Sequence, residues 1–242
     1  MTDGKRVLGV IPARGGSKRV PRKNVRTVGG IPLIGHAVRQ ANNAKSLNEV
    51  VVSTDDEAIA SIAKEYGGDV PFIRPDEFAT DDASSAAVLL HTLDWYRDQD
   101  EKFDAIAMIQ PTTPLRTATD INETVKQLYS SDATAAMSVS EYRVPPQWAV
   151  TMAESGMLSP YLKDSPLWTD EEIPRSQNLS SLLHPNGAAF VAYVSAFREF
   201  RGFYTDHVIG HEMPFVRSID VDTLDDLKLA RALFNSEDDQ NE

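Results

Sequence analysis

Val10-Ile11-Pro12-Ala13-Arg14-Gly15-Gly16-Ser17-Lys18-Arg19-Val20-Pro21-Arg22-Lys23-Asn24 is the stretch from which the rest of the chain is read. The apolar run from Val7 to Ile11 predicts a short buried strand. It empties into a loop carrying Gly15, Gly16 and the cations Arg14, Lys18, Arg19, Arg22 and Lys23. Glycines let backbone N–H groups approach an anion closely, and cations neutralise it. Open α/β sheets bind their ligands outside the carboxyl ends of the strands. A solvated charged loop is the plainer reading. In so acidic a chain, a polyphosphate site is the better account of this basic cluster. The loop is not a Walker P-loop, because Gly-Gly-Ser-Lys lacks the G-x-x-x-x-G-K-[ST] spacing.

Composition sets the bounds around that loop. The 242 residues suit one α/β domain, and 41% hydrophobic residues can build a sizeable core. There is no cysteine, which excludes a disulfide scaffold, a thiolate zinc site and a cysteine nucleophile. The N-terminal apolar run is too short for a signal peptide, and no apolar stretch is long enough to span a bilayer. A cytoplasmic protein without a membrane partner is expected. A net charge of −12 argues against nucleic acid as the main partner. The acidity fits an excess in loops and tail better than a salt-adapted source.

Downstream, strands and helices alternate. Leu33 to about Ala44 has helical spacing, and Glu49 to Ser53 reads as a buried strand. Thr54-Asp55-Asp56 opens a second helix, Gly67-Gly68 ends it, and Val70 to Ile73 reads as a short strand. A helix follows over 86–97, a strand over Phe103 to Ile109, a helix over Asp120 to Tyr129 and a strand over Ala133 to Val139. Ala188 to Val194 and Phe215 to Ile219 are the last predicted strands, and Thr223 to Leu233 the closing helix. This alternation implies βαβ units and a mostly parallel sheet. Residues 141–185 break the pattern with six prolines and the aromatics Trp148, Tyr161 and Trp168. Long irregular stretches inside compact domains are usually functional, and the alternatives are an arm that forms a dimer or a surface excursion packed on its own domain.

Two other groups carry chemistry. Asp220 and Asp222, two apart at the end of the predicted last strand, project to one face, where a divalent cation would relieve their repulsion. Oxygen ligands completed by phosphates suit Mg²⁺. The alternative is that Asp222 caps the closing helix. In Gln110-Pro111-Thr112-Thr113-Pro114-Leu115-Arg116 the prolines fix a turn that aims Gln110 into the cleft, where its amide suits a sugar hydroxyl or amide. A turn that satisfies its own backbone is the plainer reading. Ser84 precedes a helix and fits an N-cap.

Ile11 to Lys18 with Pro21, Lys23 and Asn24 resembles the signature loop of the acylneuraminate cytidylyltransferases, the CMP-sialic acid or CMP-nonulosonate synthetases. Gln110 to Arg116 is similar to that family's Gln-Pro-Thr-Ser-Pro-Leu-Arg, with Thr113 in place of Ser. Arg74-Pro75 with Asp82-Ala83-Ser84-Ser85 resembles its cytosine and ribose segment, and Asp220-Val221-Asp222 its metal-binding pair. Arg175, Gln177 and His184-Pro185-Asn186-Gly187 resemble its Arg-Gln and Pro-Asn-Gly segment least faithfully. Ser176 intervenes there, and Leu183-His184 stands where a Tyr is common. The resemblance covers residues 5–234.

The resemblance implies an α/β fold of the Rossmann-like nucleotide-diphospho-sugar transferase type (GT-A-like). Three α/β/α layers would enclose a mostly parallel sheet. It implies a single domain over 1–235, with 141–185 as a dimerisation and sugar-site excursion and 236–242 as a disordered tail. The implied reaction joins CMP from CTP to a nine-carbon α-keto acid sugar of sialic, legionaminic or pseudaminic type and releases pyrophosphate. Arg14, Lys18, Lys23 and Asp222 would be catalytic, and Arg14, Asn24, Arg74, Ala83 and Ser85 would hold CTP. Gln110, Arg175 and Asn186 would meet the sugar, and Asp220 and Asp222 would bind Mg²⁺. A homodimer with CTP and a nonulosonic acid as its ligands is the corresponding assembly. The alternatives are a 3-deoxy-manno-octulosonate cytidylyltransferase and a non-catalytic nucleotide-binding module.

Overall fold

The computed structural model describes residues 4–80, 82–168 and 173–238. In chain order its main elements are β1 (Val7–Pro12), α1 (Leu33–Asn42), β2 (Glu49–Ser53), α2 (Glu57–Glu65) and α3 (Ser85–Arg97). Then come β3 (Ala105–Met108), α4 (Ala118–Tyr129), β4 (Ala135–Glu141) and β5 (Leu183–Tyr193). The chain ends with α5 (Val194–Phe200), β6 (Val208–Glu212) and α6 (Leu224–Asp238).

The central strands β1 and β3 are buried on both faces, which is why they read as unbroken apolar runs. Successive β1 side chains point to opposite sides. Val7 and Ile11 join Ile34 and Val38 of α1, Ile59 of α2 and Ile121 of α4 in one apolar layer. Leu8 and Val10 join Leu89 and Leu93 of α3 and Phe197 of α5 in the other. The sheet between them has six strands in the order β6–β4–β5–β3–β1–β2. β1 runs parallel to β2 and β3, β6 runs parallel to β4, and β5 runs antiparallel to β3. The result is a mixed, mostly parallel α/β sheet. A third apolar cluster, including Val28, Leu33, Leu115 and Val221, seats Leu227 and Ala230 of α6.

Parts of the predicted pattern need correction. Val70 to Ile73 forms no strand and makes only isolated bridges at Asp69 and Ile73, because Pro71 offers no N–H to a ladder. Phe215–Ser218 is a 3₁₀ turn rather than a strand; it follows Pro214, and Ser218 Oγ donates to the Pro214 carbonyl at 2.9 Å. Strand β6 and helix α5 had no prediction. β6 is an edge strand whose exposure blurs its alternation. The closing helix extends to Asp238, beyond the predicted Leu233 and into the segment expected to be disordered. The remainder of that expectation, 239–242, lies outside the described residues.

The chain forms two compact units, one of Met1–Val139 with Pro185–Glu242 and the other of Ser140–His184. Within the second unit, Val150–Met152 and Leu158–Pro160 pair as an antiparallel hairpin. Tyr142 tilts against His184 at 4.6 Å, and Ser140 Oγ lies 3.2 Å from His184 Nε2. Met152, Met157, Tyr161 and Trp168 are exposed.

Candidate active site

The loop after β1 is pinned before any ligand arrives. The Ala13 N–H donates to the Ser53 carbonyl at 2.9 Å, and the Gly15 N–H donates to Asp55 Oδ1 at 3.1 Å. A Cβ at position 15 would stand 2.8 Å from Asp56 Oδ2, so only glycine fits that approach. Asp56 is itself fixed, because its Oδ1 caps α2 by accepting from the N–H groups of Ala58 (2.8 Å) and Ile59 (3.0 Å). At the far end Arg22 adopts the left-handed conformation (φ 55°) and turns the chain into a 3₁₀ turn, Lys23–Val25. Asn24 closes the loop: its Nδ2 donates to the Arg14 carbonyl at 2.9 Å.

This loop forms one wall of a cleft of about 560 Å³. Arg14, Lys18, Arg19, Lys23 and Asn24 line it from the loop. Arg74, Phe78, Thr80, Ala83 and Ser85 line it from the segment leading into α3. Gln110 and Thr112 come from the loop after β3, and Asp220 and Asp222 from the segment before α6. Five cations therefore face two carboxylates, a balance suited to an anion with several charges.

Arg74 is buried, with its Nε donating to Ser53 Oγ at 3.1 Å and its Nη2 to the Ser53 carbonyl. Burial lowers its pKa to about 10, with Asp55 opposing the shift, so it remains a cation. Arg14 Nη1 reaches the Thr80 carbonyl at 3.5 Å, across to the α3 side. Ser84 is the N-cap of α3, accepting from the Ala87 N–H at 3.1 Å, and Ser85 in the first turn lines the cleft. The Ala83 N–H is directed at the Thr80 carbonyl, 3.3 Å away.

Asp220 and Asp222 do not lie on a strand. They flank the buried Val221, whose N–H donates to the Thr112 carbonyl at 2.7 Å. Asp220 opens into the cleft but is walled by protein elsewhere. Lost solvation raises its pKa, with the Asp222 charge adding to the shift and the Thr112 hydroxyl opposing it. Asp222 accepts from Lys23 Nζ at 2.9 Å and Arg19 Nη1 at 3.2 Å. It does not cap α6. Thr223 does, with its Oγ1 accepting from the Asp226 N–H while Asp226 Oδ2 accepts from the Thr223 N–H.

Gly187, at φ +75°, sits beneath Gln110 and Asp220: a Cβ there would stand 2.7 Å from Gln110 Oε1 and 3.3 Å from Asp220 Oδ2. Arg116 supports the same corner from inside. It is 1% exposed, and its Nη1 donates to the carbonyls of Gln110 (3.0 Å) and Ala188 (2.6 Å). Asn186 does not line the cleft. It is buried, accepting from Ser138 Oγ at 2.6 Å and donating to Ser218 Oγ at 2.9 Å, which makes it a brace under the site. Arg175 belongs to the Ser140–His184 unit, just ahead of the 3₁₀ turn Ser176–Asn178. Sequence reasoning passed over Thr112, Arg116 and Gly187. All three lie within the Gln110–Arg116 and Asn186-Gly187 motifs, so the signal was present.

A family profile described as cytidylyltransferase matches residues 8–212. The chain belongs to the cytidylyltransferase family, of the acylneuraminate type. This cytidylyltransferase is 33% identical to the CMP-N,N'-diacetyllegionaminic acid synthase of Legionella pneumophila, over 94% of this chain and 96% of that one. It is 31% identical to a pseudaminic acid cytidylyltransferase of Campylobacter jejuni, over 94% and 95%. A solved CMP:2-keto-3-deoxy-manno-octonic acid synthetase complexed with CTP shares the fold, with a TM-score of 0.67 at 19% identity over 96% of this chain and 99% of that one.

Proposed function

We propose that this cytidylyltransferase transfers CMP from CTP to a nine-carbon α-keto acid sugar of sialic, legionaminic or pseudaminic type. A sugar hydroxyl attacks the α-phosphorus and gives up its proton, a P–O bond to the sugar forms, and the bond to pyrophosphate breaks. Such transfer depends on positioning and on neutralising developing charge. The observation that carries the reading is the single cleft that gathers Arg14, Lys18, Lys23, Arg74, Gln110, Asp220 and Asp222.

In this reading Arg14, Lys18 and Lys23 hold the phosphates. Asn24 sets the loop and, with Arg74, Ala83 and Ser85, faces the nucleoside. Gln110 meets the sugar, and Arg175 pairs with its carboxylate. Asp220 and Asp222 fit a divalent cation: they are two carboxylates on one cleft wall, and the Asp222 charge raises the cost of ionising Asp220. Among the described residues no group of three or more acidic, histidine or cysteine side chains could hold a metal, so phosphate oxygens would complete the set. Bound Mg²⁺ would neutralise phosphate charge and stabilise the leaving pyrophosphate. We also propose that the exposed apolar side chains of the Ser140–His184 unit, Met152, Met157, Tyr161 and Trp168, meet a second copy of the chain to form a homodimer.

Pyrophosphate release from CTP, measured with Mg²⁺ across nine-carbon nonulosonic acids and the eight-carbon octulosonate, tests the assignment. Release with a nine-carbon acid, abolished by EDTA and by Asp222→Ala in a folded protein, is expected. Release with the octulosonate alone overturns the choice of sugar. CTP binding without turnover on any acid overturns the enzymatic reading.

A further inference from the structure

Asp220 and Asp222 lie on irregular backbone, where no ladder of hydrogen bonds sets their position. Towards α6 the segment is tied by the Val221 N–H to Thr112 and by the Asp222 N–H, which donates to Asp226 Oδ2 at 3.1 Å. On the other side stands the Phe215–Ser218 turn. Its Arg217 forks onto Asp120, with Nε 3.1 Å from Oδ2 and Nη2 3.1 Å from Oδ1. A bidentate fork fixes direction as well as distance.

Asp120 is 1% exposed and belongs to the N-terminal capping box of α4. Its Oδ2 accepts from the Thr117 N–H at 2.8 Å and from Thr117 Oγ1 at 2.7 Å. His211 Nε2 stands 3.7 Å away, close enough to act electrostatically but too far for a hydrogen bond. Burial alone would raise the Asp120 pKa, but the nearby His211 imidazole, the Arg217 guanidinium and the Thr117 donors hold it well below the usual range. The carboxylate is thus a charged, immobile anchor. Thr117 directly follows the Gln110–Arg116 loop, so the anchor ties the Gln110 wall to the carboxylate wall.

We infer that the Arg217–Asp120 fork is a positioning device that sets Asp220 and Asp222 against the phosphate loop. Arg217 does not line the cleft and acts through the short segment that separates it from Asp220. The inference rests on the metal-binding reading of the two aspartates.

The test is steady-state pyrophosphate release by the full chain, titrated with Mg²⁺, for wild type, Arg217→Ala and Arg217→Lys. Groups that orient metal ligands typically carry about 10- to 100-fold of metal affinity or activity. Arg217→Ala is expected to raise the half-saturating Mg²⁺ concentration about tenfold and to lower kcat, with KM for CTP at saturating Mg²⁺ within about twofold of wild type. Arg217→Lys keeps the charge but loses the fork, and should recover part of the loss. A purely structural Arg217 would leave the Mg²⁺ curve of the folded fraction unmoved and let activity follow the melting curve. That result in a metal-dependent wild type overturns the fork proposal alone. A wild type indifferent to Mg²⁺ and EDTA overturns the metal reading and the fork proposal with it.

Discussion

Gly187→Ala, set beside Gly30→Ala, separates backbone cost from site cost at two glycines of equal φ. Both have φ +75°. An alanine in that region costs about 1 kcal/mol relative to glycine. For a chain of this size, that shifts Tm by roughly 2–4 °C. At Gly30 a new Cβ meets nothing within 4 Å, so Gly30→Ala should show the Tm shift and keep wild-type activity. At Gly187 the Cβ would arrive 2.7 Å from Gln110 Oε1 and 3.3 Å from Asp220 Oδ2. Carbon–oxygen contact at 2.7 Å is well inside van der Waals distance, so the Gln110 amide must retreat by several tenths of an ångström or more. A displacement of about 1 Å at a reacting centre costs on the order of 10²-fold in rate. Gly187→Ala should therefore lose about 10- to 100-fold in kcat/KM while melting within a few degrees of Gly30→Ala. Thermal melts and pyrophosphate-release kinetics on both variants check this. A Gly187→Ala enzyme with wild-type kcat/KM would refute the claim that this glycine shapes the site.

Two further outcomes follow from the same geometry. Lys23→Met removes a cation whose side chain is 18% exposed and leaves Asp222 without its 2.9 Å partner; kcat/KM for CTP should fall about 10²-fold while Tm moves little, since Asp222 remains half exposed. Unchanged CTP kinetics would remove Lys23 from the phosphate site. Asp120 has a depressed folded pKa, so the stability that its charge contributes is present above the unfolded carboxylate value of about 3.9 and is lost as pH falls below it. The Tm gap between wild type and Asp120→Asn should be widest above pH about 5 and shrink below about 4. A gap that stays constant down to pH about 2.5 would contradict the charged anchor.

Most of the sheet was legible because its central strands are buried on both faces and bounded by glycine, proline or helix caps. β1 and β2 end within one residue of their predicted limits, and Asp56 and Ser84 are the caps that their residue types suggested. Elements that depend on tertiary contacts were not legible. β6 is recognisable only through its pairing with β4, and Gly210 weakens its pattern further. The apolar run Phe215-Val216 looked like a strand, but the tie from Ser218 to Pro214 and the Arg217 fork curl it into a turn.

The same division runs through the site. Residues whose chemistry is displayed (Arg14, Lys18, Lys23, Asp220 and Asp222) are visible from type and spacing and do line one cleft. Residues that hold the display in place are polar but buried, and a sequence gives no sign of burial for an isolated Asn, Arg or Asp. Asn186 resembled a sugar ligand and is instead committed to Ser138 and Ser218. Arg116 closed a recognisable motif, yet its work is to bind two backbone carbonyls from different segments. The bracing is concentrated there for a physical reason. Three walls of the cleft are loops, so their geometry cannot come from a ladder of backbone hydrogen bonds. Side chains taken out of water must supply it, and each such group is costly unless it is fully paired. Positioning in this enzyme therefore rests on a small number of buried polar side chains, each tying together segments far apart in the sequence.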